Sequence, residues 1–284
     1  MQSLGIDIGG SSVKAAALAD GKVLWTGQSA CYSRPSRPQL LAAIREAVKG
    51  PVVDARRVGL CVPGLLDRPR RIITLAVNVP GLMNIALDDL VSSALICRVG
   101  HIEIASDSTA SAVDIIAARG LTGRLLCLAI GTGVGAAVLD DGRPLMVEGG
   151  LPGHLGQLDV SLDGNPPIGP DGGAGSLEAY LGVAALKSAY GDDLATVLPK
   201  LTADAPAMKA LCRAIRVCHA IYRPNHIILC GGMGIRLKHL LEPLRARISQ
   251  SLTSVARPDW TLSFGDHDFH AAAGAARIAQ GMPR

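Results

Sequence analysis

The sequence predicts an α/β protein of two lobes, and three observations carry the prediction. A glycine-rich stretch beginning at Asp7, DIGGSSVKAAALADGKVL, returns with a one-residue slip as AIGTGVGAAVLDDGRPL, beginning at Ala129. Each copy runs Ile-Gly, then Gly with Ser or Thr, then a short apolar stretch closed by an acid-Gly turn and a basic residue. Second, a chain of 284 residues with 49% hydrophobic content can bury two cores of ordinary size. Third, only 3% of residues are aromatic while Gly numbers 33, as expected of aliphatic α/β layers joined by tight turns and not of an aromatic-rich sandwich.

The elements follow in order. LGIDIGG, SVKAAALA and KVLWTGQSA are extended runs separated by glycine turns and read as a β-meander. RPQLLAAIREAVKG has apolar residues at i, i+3 and i+4 and ends at Gly50, which predicts a helix with a glycine C-cap. VGLCVPGLLD is a strand broken at Pro63-Gly64, HIEIAS is another, and Asp107 opens the helix STASAVDIIAARG. The pattern then restarts with strands RLLCLAIG, VGAAVLDD and RPLMVEGG, followed by a Gly/Pro/Asp-rich insert from Gly149 to Gly175. Helices from Leu177 to about Tyr222 lead to strand HIILCGG, a helix from about Arg236 to Ser251, strand WTLSFG and a last helix from His270.

Several function classes are set aside by composition. The net charge of +4 is spread out, and the densest basic clusters, RPRR (68–71) and RLKHLLEPLRAR (236–247), read as a turn and a solvated helix face, too weak a footprint for nucleic acid. The first residues run straight into a strand with no signal-peptide pattern, and no apolar run reaches membrane-spanning length, so a cytoplasmic protein without membrane contact is expected. Seven cysteines form an odd set without C-x-x-C, mostly inside apolar runs, and read as reduced core residues.

The chemistry lies in the repeated glycine device. Where a strand ends in glycines, backbone N–H groups can approach an anion, and each copy sets a hydroxyl residue beside them, an arrangement suited to cradling phosphate. A nucleotide polyphosphate carries Mg²⁺ and needs a carboxylate nearby. The first copy supplies Asp7 for it, where the second has Ala129. The Walker pattern is absent and neither glycine run matches G-x-G-x-x-G, which argues against P-loop and Rossmann sites.

Nearly the whole chain resembles the ROK family of sugar kinases, within the larger group that joins hexokinases, actin and the heat-shock chaperone ATPases. DIGGSSVK resembles the family's first phosphate motif, VPGLLD its Pro-Gly sugar-side loop, and AIGTGVGAAVLDDGRPLMVEGGLPGHLGQLDV its long second-phosphate signature. IYRPNHIILCGGMG resembles the adenosine segment and HAAAGAARIA the closing helix. The resemblance implies two ribonuclease H-like lobes with an ATP and sugar cleft between them: residues 1–106 completed by the C-terminal helix 270–284, and residues 107–269. It implies ATP and Mg²⁺ as cofactors, a sugar or related polyol as substrate, and a homodimer. Asp7 would act on Mg²⁺, and Gly9, Gly10, Ser11, Ser12 and Lys14 with Gly131, Thr132 and Gly133 would hold phosphates. Gly231, Gly232 and Met233 would lie beside adenosine, and Gly64 beside the sugar. The family's catalytic Asn-Asp pair reads here as Ser106-Asp107, keeping Asp107 as the general base that takes the sugar hydroxyl proton.

The sugar side departs from the pattern. The family's A-G-E-x-G-H reads P-G-H-L-G-Q, so His154 stands for a sugar-binding glutamate and Gln157 for a histidine that binds sugar and zinc, whereas a second glutamate is kept as Glu178. A carboxylate only accepts hydrogen bonds, while neutral His and Gln both donate and accept, so the hydroxyl pattern being read is expected to differ. The family's zinc loop C-x-C-G-x-x-G-C aligns with GPDGGAGS, leaving Gly169, Asp171 and Ser176 in place of thiolates, and no zinc site is expected. A repressor of the same family is disfavoured because the phosphate motif begins at Leu4, with no winged helix-turn-helix ahead of it. The competing expectation is a sugar- or nucleotide-sensing protein that has lost turnover.

Overall fold

A computed structural model describes residues 2–48, 57–95, 99–147, 153–170 and 172–281. It divides into two compact units, Met1–Arg119 with Phe269–Arg284, and Gly120–Asp268. In the first unit the meander forms as expected, with β1 (Gln2–Ile8), β2 (Val13–Ala19) and β3 (Lys22–Gln28) antiparallel. The β2–β3 turn places Asp20 at φ 48° and Gly21 at φ 76°, the left-handed pair that a tight two-residue hairpin requires. Helix α1 (Arg37–Ala47) is opened by Ser36, whose N–H donates to Gln39 Oε1 at 2.9 Å. Its expected cap at Gly50 lies outside the described residues. Strand β4 (Arg57–Cys61), the ribbon β5 (Leu65–Asp67) and β6 (Ile72–Leu75), helix α2 (Leu87–Leu95), β7 (His101–Ala105) and α3 (Asp107–Arg119) follow. The sheet order is β3-β2-β1-β4-β7, with β4 parallel to both β1 and β7.

Strand β6 and helix α2 were not anticipated, although Leu87, Leu90, Val91 and Ala94, all buried, carry helical spacing in the sequence. The C-terminal helix, His270–Ala279, is buried over its whole length against β1, β4 and α3. Its Ala/Gly composition is what permits the approach: a Cβ on Gly5 would lie 1.8 Å from the Ala272 carbonyl oxygen, and one on Gly274 would lie 1.7 Å from that of Ala110. Between the two helices the buried Asp114 accepts from His270 Nδ1 and from Arg277 Nε, each at 2.7 Å. Burial pushes the Asp114 carboxyl up, but these two partners hold it below its ordinary range. Helix α3 therefore belongs to the first unit, and the boundary falls after Arg119 where it had been expected after Ser106.

The second unit repeats the plan with β8 (Arg124–Ile130), β9 (Val134–Asp140) and β10 (Arg143–Pro144). Asp141 (φ 45°) and Gly142 (φ 79°) reproduce the first unit's hairpin turn, as the repeated Asp-Gly foretold. The third strand is two residues long among the described ones; Pro144 pairs with Leu139 at a position whose nitrogen faces away from β9, and the Leu145 N–H still donates to the Val138 carbonyl at 2.8 Å. Helices α4 (Leu177–Leu181), α5 (Val183–Tyr190), α6 (Leu194–Val197) and α7 (Pro206–Tyr222) lead to β11 (His226–Cys230), α8 (Gly231–Gly234), α9 (Leu241–Ser251) and β12 (Thr261–Phe264). The sheet order is β10-β9-β8-β11-β12. The helix expected from Arg236 starts as a 3₁₀ turn over Ile235–Leu240 and becomes α-helical only at Leu241. Pro243 cannot donate to a preceding carbonyl, so it is accommodated in the first turn of a helix that begins just before it.

Each unit has its own aliphatic core, built around Ile6, Ile44, Leu60 and Leu90 in the first and Leu126, Ile130, Leu211 and Ile227 in the second. Cys61, Cys127, Cys212, Cys218 and Cys230 are buried free thiols, while Cys31 is exposed. Among the described residues no helix is long and apolar enough to cross a membrane.

Candidate active site

In the first unit, Asp7 sits near the end of β1, in register with Lys14 on β2 and Cys61 on β4. The chain then turns through Gly9–Ser12, closed by the Gly9 N–H donating to the Ser12 carbonyl at 3.0 Å. The N–H groups of Gly10, Ser11 and Ser12 meet no acceptor among the described residues. Three such donors on one tight turn are the kind of arrangement that can receive an anion. The meander is the local cause, since the Asp-Ile-Gly-Gly-Ser-Ser run leaves the strand with residues that tolerate a sharp turn.

Asp107 begins α3 directly after β7. Whether it merely caps that helix is answered by its neighbour: Ser106 Oγ accepts from the Thr109 N–H at 3.2 Å, donates to Thr109 Oγ1 at 2.8 Å, and the Ser106 carbonyl accepts the first helical bond from Ala110. Ser106 is the cap. The Asp107 carboxylate accepts from the adjacent Ser108 N–H, at 2.6 Å, and from its own N–H, and is exposed.

Burial, then the Asp107 charge, push the Asp7 carboxyl up to about 7, with Lys14 pulling the other way. Desolvation raises Asp107 too, but its exposed side chain is screened by water, so the rise at Asp7, which is only partly exposed, is the one that matters. Cys61, buried against both acids, is driven well above the ordinary thiol range by burial first and then by Asp7 and Asp107. Gly64 has a local reason to be glycine: at φ +100° its Cβ would lie 2.1 Å from the Leu75 carbonyl oxygen across the β5–β6 ribbon.

In the second unit Gly131, Thr132 and Gly133 form the β8–β9 turn, closed by the Gly131 N–H on the Gly133 carbonyl at 2.9 Å. The α5 N-terminus supports it, with the Val183 N–H reaching the Gly131 and Thr132 carbonyls at 3.2 Å each. Glu178, expected on the sugar, has its Oε2 accepting from the Val134 N–H at 2.8 Å, and a Cβ on Gly133 would lie 2.6 Å from the same oxygen. Gly156, between His154 and Gln157, packs so closely on the Val134 carbonyl oxygen that a Cβ would approach it to 2.3 Å. Val134 thus joins the turn, Glu178 and the short 3₁₀ segment Leu155–Gln157, with His154 and Gln157 exposed beside it. Gly231 (φ +79°), Gly232 and Met233 lie in α8, and a Cβ on Gly231 would meet the Ile130 oxygen at 2.5 Å, so the expected adenosine segment rests on the base of the turn.

The positions aligned with zinc ligands also meet. A Cβ on Gly169 would stand 2.5 Å from Ser176 Oγ, and one on Gly173 would stand 3.6 Å from Gln157 Oε1, while Asp171 lies outside the described residues. Backbone bonds hold this loop: Val160 to Gly175, Gly175 to Pro167 and Gly169 to Gly173, each 2.8 Å, with Leu177 to Leu158 at 3.0 Å. Ser176 Oγ is the N-cap of α4, accepting from Ala179. Two residues near the first turn were not foreseen, Cys61 and Tyr32. The phenol donates to the Gly9 carbonyl at 2.7 Å, and its one sequence signal is an isolated aromatic in the polar segment SACYSRPSRP.

A sequence profile of the ROK family matches residues 3–282. Among curated proteins, an N-acetylmannosamine kinase of Salmonella newport (strain SL254) is 30% identical over 199 residues, covering 69% of this chain and 66% of the relative. The chain thus spans slightly less than two thirds of the curated relatives it matches. A ROK glucokinase from Streptomyces griseus, solved with glucose and AMPPNP, superposes with a TM-score of 0.74 at 19% identity, covering 99% of this chain and 100% of that one. A ROK transcriptional regulator, a homologue of the E. coli MLC protein, superposes at 0.73 with 20% identity, covering 99% and 78%. The fold is that of the actin-like ATPases. With the profile spanning nearly every residue and the fold matched end to end, the chain belongs to the ROK family.

Proposed function

We propose that this protein is an ATP-dependent kinase acting on a hydroxyl of a hexose, an amino sugar or a related polyol. The observation that carries the reading is the division of labour at the start of α3: Ser106 caps the helix, and the exposed Asp107 carboxylate is left to accept a proton. As the sugar oxygen bonds to the terminal phosphorus and the bond to ADP breaks, Asp107 takes the hydroxyl proton. Positioning and charge stabilisation carry most of the acceleration in phosphoryl transfer, which is the work of the N–H groups on Gly10, Ser11 and Ser12 with Lys14, and of the Gly131–Gly133 turn.

Mg²⁺ would draw charge off the phosphates, and Asp7, a partly buried carboxylate near the end of β1 just before the glycine turn, fits it as a hard oxygen donor. Gly231, Gly232 and Met233 would flank adenosine, with Gly64, Ser106, His154, Gln157 and Glu178 around the sugar. A cytoplasmic homodimer without structural zinc completes the reading. The Salmonella and Streptomyces relatives make N-acetylmannosamine and glucose the first sugars to try. The test is ADP release with ATP and Mg²⁺ across hexoses, N-acetylhexosamines and polyols, where one sugar should raise release far above the sugar-free rate.

A second reading, a sugar or nucleotide sensor without turnover, draws on Glu178. Its carboxylate is engaged by the Val134 N–H, and His154 and Gln157 stand where family ligands would be. Sugar binding by calorimetry with no ADP release from any member of the panel would favour it.

A further inference from the structure

The segment that follows β3 is tied to the first turn at five points. Gln28 Nε2 donates to Ser12 Oγ at 3.3 Å. The buried Ser29 Oγ accepts from the Val13 N–H at 3.0 Å, and the Ser29 N–H donates to the Val13 carbonyl at 2.9 Å. Tyr32 contributes two more, its N–H donating to the Ser11 carbonyl at 2.8 Å and its phenol to the Gly9 carbonyl at 2.7 Å. Burial, then the Asp7 charge, push the phenol pKa up, so it stays a protonated donor at any working pH.

A trans peptide unit is planar, and its carbonyl and the N–H of the next residue point in opposite directions. Fixing the Gly9 oxygen on the Tyr32 side therefore turns the Gly10 N–H away from it, and fixing the Ser11 oxygen does the same for the Ser12 N–H. These are two of the three turn donors that meet no acceptor among the described residues. We infer that Tyr32 is a positioning residue for nucleotide binding, aiming the Gly10 and Ser12 N–H groups at the phosphates by holding the carbonyls of the peptide planes they belong to. Preorganised donors cost no rearrangement when the anion arrives, so what Tyr32 controls is affinity for the phosphates, not for the nucleoside or the sugar.

The inference rests on the kinase reading only in taking the turn as a phosphate site, and the test separates the two. Tyr32→Phe keeps the ring and its packing and removes one hydrogen bond. Calorimetry of ATP with Mg²⁺ should show affinity weakened about 5–10-fold, the usual weight of one hydrogen bond in such a setting. Adenosine affinity and the KM for the preferred sugar should be unchanged, and the melting temperature without ligand should fall by no more than about a few degrees, because the bond removed also exists in the free protein. Gln28→Ala, at an exposed position that the fold tolerates, should weaken ATP by about 2-fold, and it serves as the test should the phenylalanine variant not fold. Unchanged ATP affinity in the variants, or adenosine and ATP weakening equally, overturns the inference, as does a wild-type protein that binds no ATP at all. Wild type that binds ATP but never releases ADP overturns only the kinase reading, and Tyr32 is then judged on the binding constants alone.

Discussion

Replacing Asp7 by Asn should make the protein more stable at neutral pH while removing its activity. The carboxyl titrates near 7 in the fold against an ordinary value of 3.8, mainly because burial strips its water. A rise of that size corresponds to at most about 4 kcal/mol of destabilisation once the group is ionised in both folded and unfolded chains. Asp7 keeps some contact with solvent, so about 1–2 kcal/mol is the working expectation. The sign follows from which state ionises first. Below pH 3.8 the group is protonated in both states and costs nothing; between 3.8 and about 7 the unfolded chain loses its proton first and stability falls; above 7 the cost is complete. Urea unfolding of wild type and Asp7→Asn, without Mg²⁺, should give coincident midpoints near pH 4 and a widening advantage for the variant up to pH 8. ADP release by the variant should be abolished over the same range. An Asn variant less stable than wild type at pH 7.5, or a gain that does not change with pH, would show that Asp7 is not a desolvated carboxylate.

Asp107→Asn should bind ATP as wild type does but transfer phosphoryl about 10²–10⁴-fold more slowly, the ordinary worth of a general base; turnover within a few-fold of wild type would reduce Asp107 to a structural residue. Gly274→Ala forces a Cβ to within 1.7 Å of the Ala110 carbonyl oxygen and should destabilise by about 3 kcal/mol or more, seen as insolubility or a large drop in melting temperature, whereas a soluble variant melting like wild type would contradict the packing of the C-terminal helix on α3. Protein purified without chelator should contain well under one zinc per chain and melt at the same temperature with EDTA, because the loop around Gly169 and Ser176 is held by backbone bonds; stoichiometric zinc lost together with stability would overturn that account.

Much of this protein is decided locally and is therefore legible in the sequence. The two meanders, their Asp-Gly turns and the glycine turn after Asp7 depend on residues a few positions apart, and backbone stereochemistry alone restricts what Asp20-Gly21 or Gly9-Gly10 can do. The motif resemblance could likewise nominate Asp107 and Glu178, since it too reads short stretches. What the sequence could not decide are the contacts that close over long separations. That α3 joins the first unit follows from Asp114 meeting His270 and Arg277, more than 150 residues away, and from a glycine at 274 that only makes sense beside Ala110. That Ser106 and not Asp107 caps α3 turns on side-chain rotamers, which the Ser-Asp pair leaves open. Tyr32 is silent in the sequence for the same reason: its function arises from a carbonyl it meets 23 residues away, and hydrogen bonds of that kind are set by packing geometry that no local pattern encodes.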